Sequence, residues 1–135
     1  MTTLAKDAIR TYESGPGDLL NDLPVVGSDI IFEGAAVSVI TSGATGYAQP
    51  LVAGDPFLGF SKRKSDNSAG SNGDRNVHVI ERGKVLLDVV GVTGVADIGK
   101  TVYAADDDTF TLTSTDNTAI GKITRYVSGT WCVVY

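Results

Sequence analysis

Residues 94–101 read GVADIGKT, and residues 102–113 continue as VYAADDDTFTLT. The first stretch, from Gly94 to Thr101, fits the phosphate-loop pattern G-x-x-x-x-G-K-[ST]. A phosphate loop requires a following helix whose N-terminus faces the anion. The second stretch instead alternates with a period of two around three aspartates, which is typical of a β-hairpin. Asp97 would also place a carboxylate among the phosphates, so we predict a hairpin after Thr101 and a chance match to the motif.

The composition predicts one soluble domain. The chain has 135 residues, of which 42% are hydrophobic, and no apolar run approaches the roughly 18 residues that cross a bilayer. The apolar residues near the N-terminus are interrupted by Lys6, Asp7 and Arg10, so no secretory signal is predicted. We expect a protein that is made and kept in a cytoplasm and has no membrane partner.

Charge and cysteine content restrict the partners and the fold. The formal net charge of −5 and the pI near 4.6 argue against a nucleic-acid partner, because phosphate neutralisation needs a dense basic surface. Cys132 is the only cysteine, so no internal disulfide can form, and it is predicted to be a small buried residue. Sixteen glycines favour tight turns between short strands over helices, whose interiors glycine destabilises.

Residues 29–135 are predicted to form an all-β domain, a small barrel or sandwich of short antiparallel strands. The predicted strands are residues 29–32, 35–40, 47–52, 57–62, 75–82, 84–90, 101–105, 109–113, 119–126 and 130–135, with a helical turn within 95–99. The pattern predicts five core residues, Val77, Val79, Val85, Leu87 and Val89. Residues 65–73 are polar and rich in glycine, so we predict an exposed, mobile loop.

The last predicted strand, residues 130–135, is apolar on both faces from Trp131 to Tyr135. A half-solvated strand should alternate, so this strand is either central to a closed barrel or covered by a neighbouring subunit. The second explanation makes Trp131 and Tyr135 candidate contacts in an oligomer.

Residues 1–28 are predicted to form an extended N-terminal arm, because Gly15, Pro16 and Gly17 interrupt any helix. The arm has more apolar side chains than a disordered tail needs. It should therefore dock on the chain's own barrel or on another subunit. Its candidate contact residues are Leu4, Ile9, Tyr12, Leu19 and Leu20.

No residue group predicts catalysis or metal binding. His78 is the only histidine, so a zinc site would need carboxylates for every other ligand. No serine lies in a Gly-x-Ser-x-Gly elbow. The run of Asp106, Asp107 and Asp108 lacks the alternating ligands and the glutamate of a calcium loop, and it is predicted to be a solvated turn. We expect no catalytic residue, no metal and no cofactor.

One local concentration of positive charge is formed by Lys62, Arg63 and Lys64. These side chains could meet an acidic surface on a partner. They could equally keep the end of an edge strand from pairing with another chain.

Four blocks follow one another along the chain, and they are IFEGAAV at 31–37, VIERGKV at 79–85, DIGKTVY at 97–103 running into DDTFTLT at 107–113, and NTAIGKI at 117–123. In this order they resemble a family of small structural proteins of tailed phages, the capsid cement or decoration proteins. The resemblance runs from about residue 29 to residue 135, about four-fifths of the chain. The order of the blocks is more distinctive than any one of them.

The resemblance implies a small β-barrel or sandwich without enzymatic activity. Such a protein binds the outside of an expanded capsid, often as a trimer, and holds neighbouring subunits of the major capsid protein together. It is assembled in the host cytoplasm and ends on the exterior of the virion.

Three alternatives stay open at this stage. The first is a head-fibre or tail-associated β module. The second is a nucleotide-binding enzyme that uses Lys100 and Thr101. The third is a polysaccharide-binding module whose aromatic platforms are Tyr47, Tyr126 and Trp131.

Overall fold

The computed structural model describes residues 2–13 and 19–135. It confirms the predicted all-β fold, since the only helical element in this part is one 3-10 turn, Val95–Asp97. The strands are β1 (Thr11–Glu13), β2 (Leu19–Pro24), β3 (Asp29–Ile31), β4 (Ala36–Val39), β5 (Ala48–Pro50), β6 (Phe57–Ser61), β7 (Ser65–Asn67), β8 (Asn76–Arg82), β9 (Lys84–Val90), β10 (Thr101–Ala104), β11 (Phe110–Thr111), β12 (Thr118–Ser128) and β13 (Trp131–Val134).

Five strands close into a small barrel in the order β9-β11-β10-β12-β13, because β13 pairs with both β12 and β9. Every pair is antiparallel except β9 and β11, which run parallel. This parallel pair departs from the predicted antiparallel pattern. It arises because residues 91–100 lead the chain from β9 past β12, where Gly99 N–H donates to the carbonyl of Ile123 at 2.8 Å, before β10 begins.

The hairpin predicted after Thr101 is confirmed. Strand β10 begins at Thr101 and pairs antiparallel with β11, with Tyr103 opposite Thr111 and Ala104 opposite Phe110. Thus a strand follows the GKT sequence at the place where a phosphate loop requires a helix.

A second sheet has the order β2-β8-β6-β4-β5, and the chain passes from it to the barrel at Gly83, between β8 and β9. These two consecutive strands do not pair with each other, because β8 pairs with β2 and β6 whereas β9 pairs with β1, β11 and β13. Val25, directly after β2, forms a parallel bridge with Ala48 of β5. The short β3–β7 pair supplies Ile31 to the core of this sheet.

The described residues form two apolar cores, and all five predicted core residues are buried. Val77 and Val79 belong to the core of the second sheet. Val85, Leu87 and Val89 belong to the barrel core, which also takes in Phe60 and Phe110. The alternation along β8 and β9 puts these five side chains on the buried face of their strands, because successive side chains of a strand point to opposite faces. The sheet to which each strand belongs decides which core they enter.

The C-terminal strand β13 is part of the barrel wall and lies between β12 and β9. Cys132, Val133 and Val134 are buried by the single chain, whereas Trp131 and Tyr135 are exposed. Of the two explanations that the sequence left open for this strand, membership of a closed barrel is the one observed.

Residues 65–73 do not form the fully exposed loop that their composition predicts. Ser65–Asn67 is strand β7, and the side chains of Ser65 and Asn67 are buried. The amide of Asn67 donates to the backbone carbonyls of Val25, Val26 and Ser71 at 2.9–3.1 Å. The prediction of an exposed loop was wrong for Ser65 and Asn67. Their polarity suggested exposure to solvent, but a polar side chain can be buried when it forms hydrogen bonds with backbone groups.

The predicted arm contributes two strands to the sheets of its own chain. β1 pairs antiparallel with residues 84–86 of β9, whereas β11 pairs with residues 89 and 90 of the same strand. β2 pairs antiparallel with β8. The described residues of the arm therefore dock on the chain's own sheets, one of the two alternatives that the sequence left open. Gly15, Pro16 and Gly17 lie outside the described residues.

Candidate partner-binding surface

The turn formed by Asp106, Asp107 and Asp108, here called the aspartate turn, receives the start of the arm. Asp107 is fully buried. Its carboxylate accepts hydrogen bonds from the Thr2 hydroxyl and from the backbone N–H and hydroxyl of Thr3. The prediction of a solvated turn was therefore wrong for Asp107, because residues more than a hundred positions away in sequence supply its partners.

Arg10 fastens the next part of the arm. Its guanidinium forms an ion pair with Asp108 at 2.8 Å and donates to the carbonyl of Gly34 at 2.8 Å. It also lies over the rings of Phe60 and Phe110, 5.7 and 5.3 Å from their centroids. An arginine so placed combines a charge-assisted hydrogen bond with cation–π attraction. Only 10% of its side chain is exposed.

The backbone between these two contacts runs tightly against Gly34. Ala8 N–H donates to the Glu33 carbonyl at 2.7 Å, and the Asp7 carboxylate accepts from Glu33 N–H at 2.8 Å. A Cβ added to Gly34 would lie 1.5 Å from the carbonyl oxygen of Ala8. Glycine at this position is thus a steric requirement for the docked arm.

Tyr12, in strand β1 of the arm, packs against the core of the barrel. Burial raises the pKa of its phenol to about 12, with nearby Arg10 opposing the shift. The hydroxyl is buried and has no hydrogen-bond partner among the described residues. Tyr12 also forms part of the wall of a cavity of about 260 Å³ between the barrel and the second sheet.

The candidate contacts of the arm therefore fall into different environments. Leu4 packs against the core of the second sheet, and Tyr12 packs against the barrel. Ile9 is 77% exposed, and Leu20 is exposed as well. The side chain of Leu19 lies outside the described residues, although its backbone pairs with Arg82.

The basic residues Lys62, Arg63 and Lys64 are exposed. The Lys64 ammonium lies 5.3 Å from the centre of the Phe32 ring. Lys62 and Ile9 line one small cleft of about 150 Å³. The fold thus brings one predicted basic contact beside one predicted apolar contact of the arm.

Trp131 and Tyr135, at the two ends of β13, are placed in separate clefts. The Arg82 guanidinium lies 4.7 Å from the centre of the Tyr135 ring, and its Nε donates to the Tyr135 hydroxyl at 3.2 Å. Tyr126 packs against the barrel core, whereas Trp131 is 43% exposed on the barrel exterior. These two aromatic residues therefore do not present one common platform.

Within the phosphate-loop match, the Asp97 carboxylate collects hydrogen bonds from its neighbours. Lys100 Nζ donates to Asp97 Oδ1 at 2.7 Å, and Asp97 Oδ2 accepts from Thr93 N–H at 2.7 Å and from Gly94 N–H at 3.3 Å. These hydrogen bonds, the one from Lys100 foremost, lower the pKa of Asp97 to about 2. Lys100, which would have to reach a phosphate in a nucleotide site, is therefore bonded to the Asp97 carboxylate instead.

The described residues hold no grouping typical of a metal site. Within residues 2–13 and 19–135, no three histidine, cysteine, aspartate or glutamate side chains converge closely enough to hold a metal ion. His78 is half-exposed on β8, and its Nδ1 lies 3.9 Å from Asp22 of β2. In the same part of the chain, no helix is long and apolar enough to cross a membrane.

Sequence reasoning missed Arg10 and Asp107 as the residues that fasten the arm. The sequence pattern indicates Arg10 only as a charge that interrupts an apolar segment, and Asp107 only as a turn residue. The available signal was the coincidence of a threonine-rich terminus, one arginine and three contiguous aspartates in an acidic chain. Nothing in local spacing shows that these segments meet.

Comparison with protein-family models, with curated proteins and with solved structures found no match to this chain. A proposal for its function therefore rests on the chain's own residues and on the resemblance of its blocks.

Proposed function

We propose that this protein is a non-enzymatic capsid cement protein of a tailed phage. It binds the outer surface of the expanded capsid and clamps neighbouring subunits of the major capsid protein. The order of the four resembling blocks is the observation that carries the proposal. Those blocks fall on β3 and β4, on the junction of β8 and β9, on β10 and β11, and on β12.

The physical basis of the proposal is multivalent contact. DNA packed inside a capsid pushes its subunits apart. A protein that contacts several subunits at once gains avidity from effective concentration, so no single contact has to be strong. A closed barrel offers a rigid body for this purpose, and exposed apolar side chains such as Ile9, Leu20 and Trp131 gain about 25 cal/mol per Å² of apolar surface that the capsid covers.

Self-association, with a trimer favoured, is part of the same proposal and rests on the resemblance. Three copies would multiply the contacts with a capsid around a three-fold position. The mass in solution at micromolar concentration tests this part separately. A trimeric mass supports it, and a monomeric mass contradicts it.

Sedimentation with capsids tests the main proposal. Purified protein is mixed with expanded capsids of the same virus that lack it, and the particles are pelleted. We expect saturable co-sedimentation and greater resistance of the decorated particles to heat and to chelators. Unexpanded capsids serve as the matched control. Protein that stays in the supernatant, with no gain in resistance, would refute the proposal.

The same assay separates the head-fibre or tail-associated alternative. A tail-associated module should pellet with purified tails or with host cells and leave the expanded capsids bare. In that case the protein would still be on the exterior of the virion, but on the tail or a head fibre and not on the capsid surface.

A further inference from the structure

Another cleft, here called the Trp131 cleft, opens on the barrel exterior beside the docked arm. Its volume is about 290 Å³, and it is lined by Trp131, Asp88, Val90, Asp108 and Arg10 among others. Trp131 of β13 lies directly opposite Asp88 of β9 in an antiparallel pair. Side chains of directly opposed residues share one face, with their Cβ atoms about 5 Å apart. The indole and a carboxylate therefore stand side by side in this cleft.

The charges in the cleft do not cancel. Arg10 is held by Asp108 and by Gly34, and only 10% of its side chain is exposed. Asp88 accepts a hydrogen bond from the Thr130 hydroxyl and has no ion-pair partner among the described residues. Asp108 is 44% exposed and uses one carboxylate oxygen, Oδ1, for Arg10. Two carboxylates and one guanidinium leave one negative charge uncompensated.

The exposed indole adds a second attraction for a cation. Trp131 is 43% exposed, although the rest of its strand is buried. Tryptophan attracts cations over its ring face more strongly than the other aromatic residues do. A flat platform beside a carboxylate matches a planar guanidinium or the stem and ammonium of lysine.

We propose that the Trp131 cleft binds a basic side chain, arginine or lysine, of a protein partner. The side chain lies on Trp131, its charge meets Asp88 and the open oxygen of Asp108, and its methylene groups contact Val90. Identifying that partner as the capsid rests on the proposed function. The affinity of the cleft for a cation does not, because it is a property of the isolated protein.

A sugar is the ligand that this geometry disfavours. Sugars also stack on aromatic rings, but they carry no positive charge that could compensate Asp88. Tyr126, the platform nearest along the paired strands, is turned towards the barrel core. The charge balance therefore favours a cation over a neutral polyhydroxyl ligand.

The fluorescence of Trp131 provides a direct test, because it is the only tryptophan in the chain. The full protein is titrated at low salt with acetyl-arginine amide and, in parallel, with acetyl-citrulline amide, its uncharged isostere. We expect a saturable change in the millimolar range with the arginine compound that weakens as salt is raised, and a much smaller change with the citrulline compound. The change Asp88→Asn should weaken binding about fivefold, whereas Asp116→Asn, at an exposed position, should leave it unchanged.

Three results would overturn the proposal. They are equal responses to the arginine and citrulline compounds, saturation by maltose instead, or unchanged arginine affinity in Asp88→Asn. Quenching gives an independent reading when each ion is compared with its quenching of free N-acetyltryptophanamide. Relative to that standard, a negative local potential should make caesium quench Trp131 more strongly and iodide more weakly. Arginine binding by protein that fails to pellet with expanded capsids would refute the proposed function and leave the cleft assignment intact.

Discussion

Arg10 Nη2 lies 2.8 Å from Asp108 Oδ1, and this ion pair joins the N-terminal arm to the aspartate turn. The two residues are 98 positions apart in the sequence. The same guanidinium packs on Phe60 and Phe110 of the barrel core. The arm is thus attached through one buried cation as well as through the backbone pairing of β1 with β9.

Replacing Arg10 should destabilise the protein. Arg10→Ala removes the ion pair and the cation–π contacts and leaves the Gly34 carbonyl without its donor, so the free energy of unfolding should fall by about 2 kcal/mol. Urea unfolding measures the loss. Arg63→Ala, at an exposed arginine, is the control and should change stability by less than about 0.5 kcal/mol. Equal losses in the two variants would contradict the role of Arg10.

The change Gly34→Ala should displace the arm, because the new Cβ would meet the Ala8 carbonyl. The matched control is Gly43→Ala. Both glycines have φ between +84° and +88°, but a Cβ at Gly43 meets nothing within 4 Å. Both variants carry about 1 kcal/mol of backbone strain, and Gly34→Ala should lose about 1–3 kcal/mol more.

Hydrogen exchange gives the local reading for Gly34→Ala. The Ala8 amide, bonded to the Glu33 carbonyl, should lose its protection in this variant and keep it in Gly43→Ala. If Ala8 stays protected, the arm is not held by its approach to Gly34.

Asp97 should make the protein sensitive to acid. Its folded pKa is lowered to about 2 from the ordinary value of 3.8. A depressed pKa contributes stability that is fully present above the unfolded value and is lost as the pH falls through the folded value. The change Asp97→Asn should therefore reduce stability at pH 7, and its deficit should shrink between pH 4 and pH 2.

Urea midpoints at pH 7 and at pH 2.5 measure this difference. Asp116→Asn, at an exposed carboxylate, is the control and should show no such convergence. A deficit of Asp97→Asn that stays constant with pH would show that the ionised carboxylate does not act as described.

Lys100→Ala tests the nucleotide alternative. The partner of Lys100 is Asp97 at 2.7 Å, so we expect no measurable ATP or GTP binding by the native protein and a modest loss of stability in the variant. Calorimetric titration with magnesium and each nucleotide checks this. Saturable binding that disappears in Lys100→Ala would favour an enzyme instead.

The single thiol should report unfolding of the barrel. Burial raises the pKa of Cys132 to about 11, and the thiolate is the reactive form. At pH 8 the native protein should react with a disulfide reagent roughly a hundredfold more slowly than the urea-unfolded chain. Fast reaction in native buffer would contradict the burial of Cys132 in β13.

Local patterns in the sequence predicted much of the fold. The alternation at Val77, Val79, Val85, Leu87 and Val89 identified core residues, because a two-residue period fixes which face a side chain takes. The turn chemistry around the three aspartates predicted the β10–β11 hairpin. The apolar run of β13 was consistent with a strand of a closed barrel.

Long-range pairing could not be predicted in this way. The parallel β9–β11 pair depends on where the intervening chain crosses, and the buried position of Asn67 depends on carbonyls about 40 residues away. The Trp131 cleft forms only because β13 aligns Trp131 with Asp88 and the arm brings Arg10 beside them. Each of these features brings together segments that are far apart in the sequence, and the local pattern of one segment does not indicate its contact with the other.

Electron microscopy of expanded capsids, imaged with and without added protein, tests the central proposal most directly. The proposal predicts added density on the outer surface at the junctions between neighbouring subunits of the major capsid protein, of a size that accommodates the barrel and the second sheet. Capsids that stay bare, or density confined to a tail or to the interior, would contradict it.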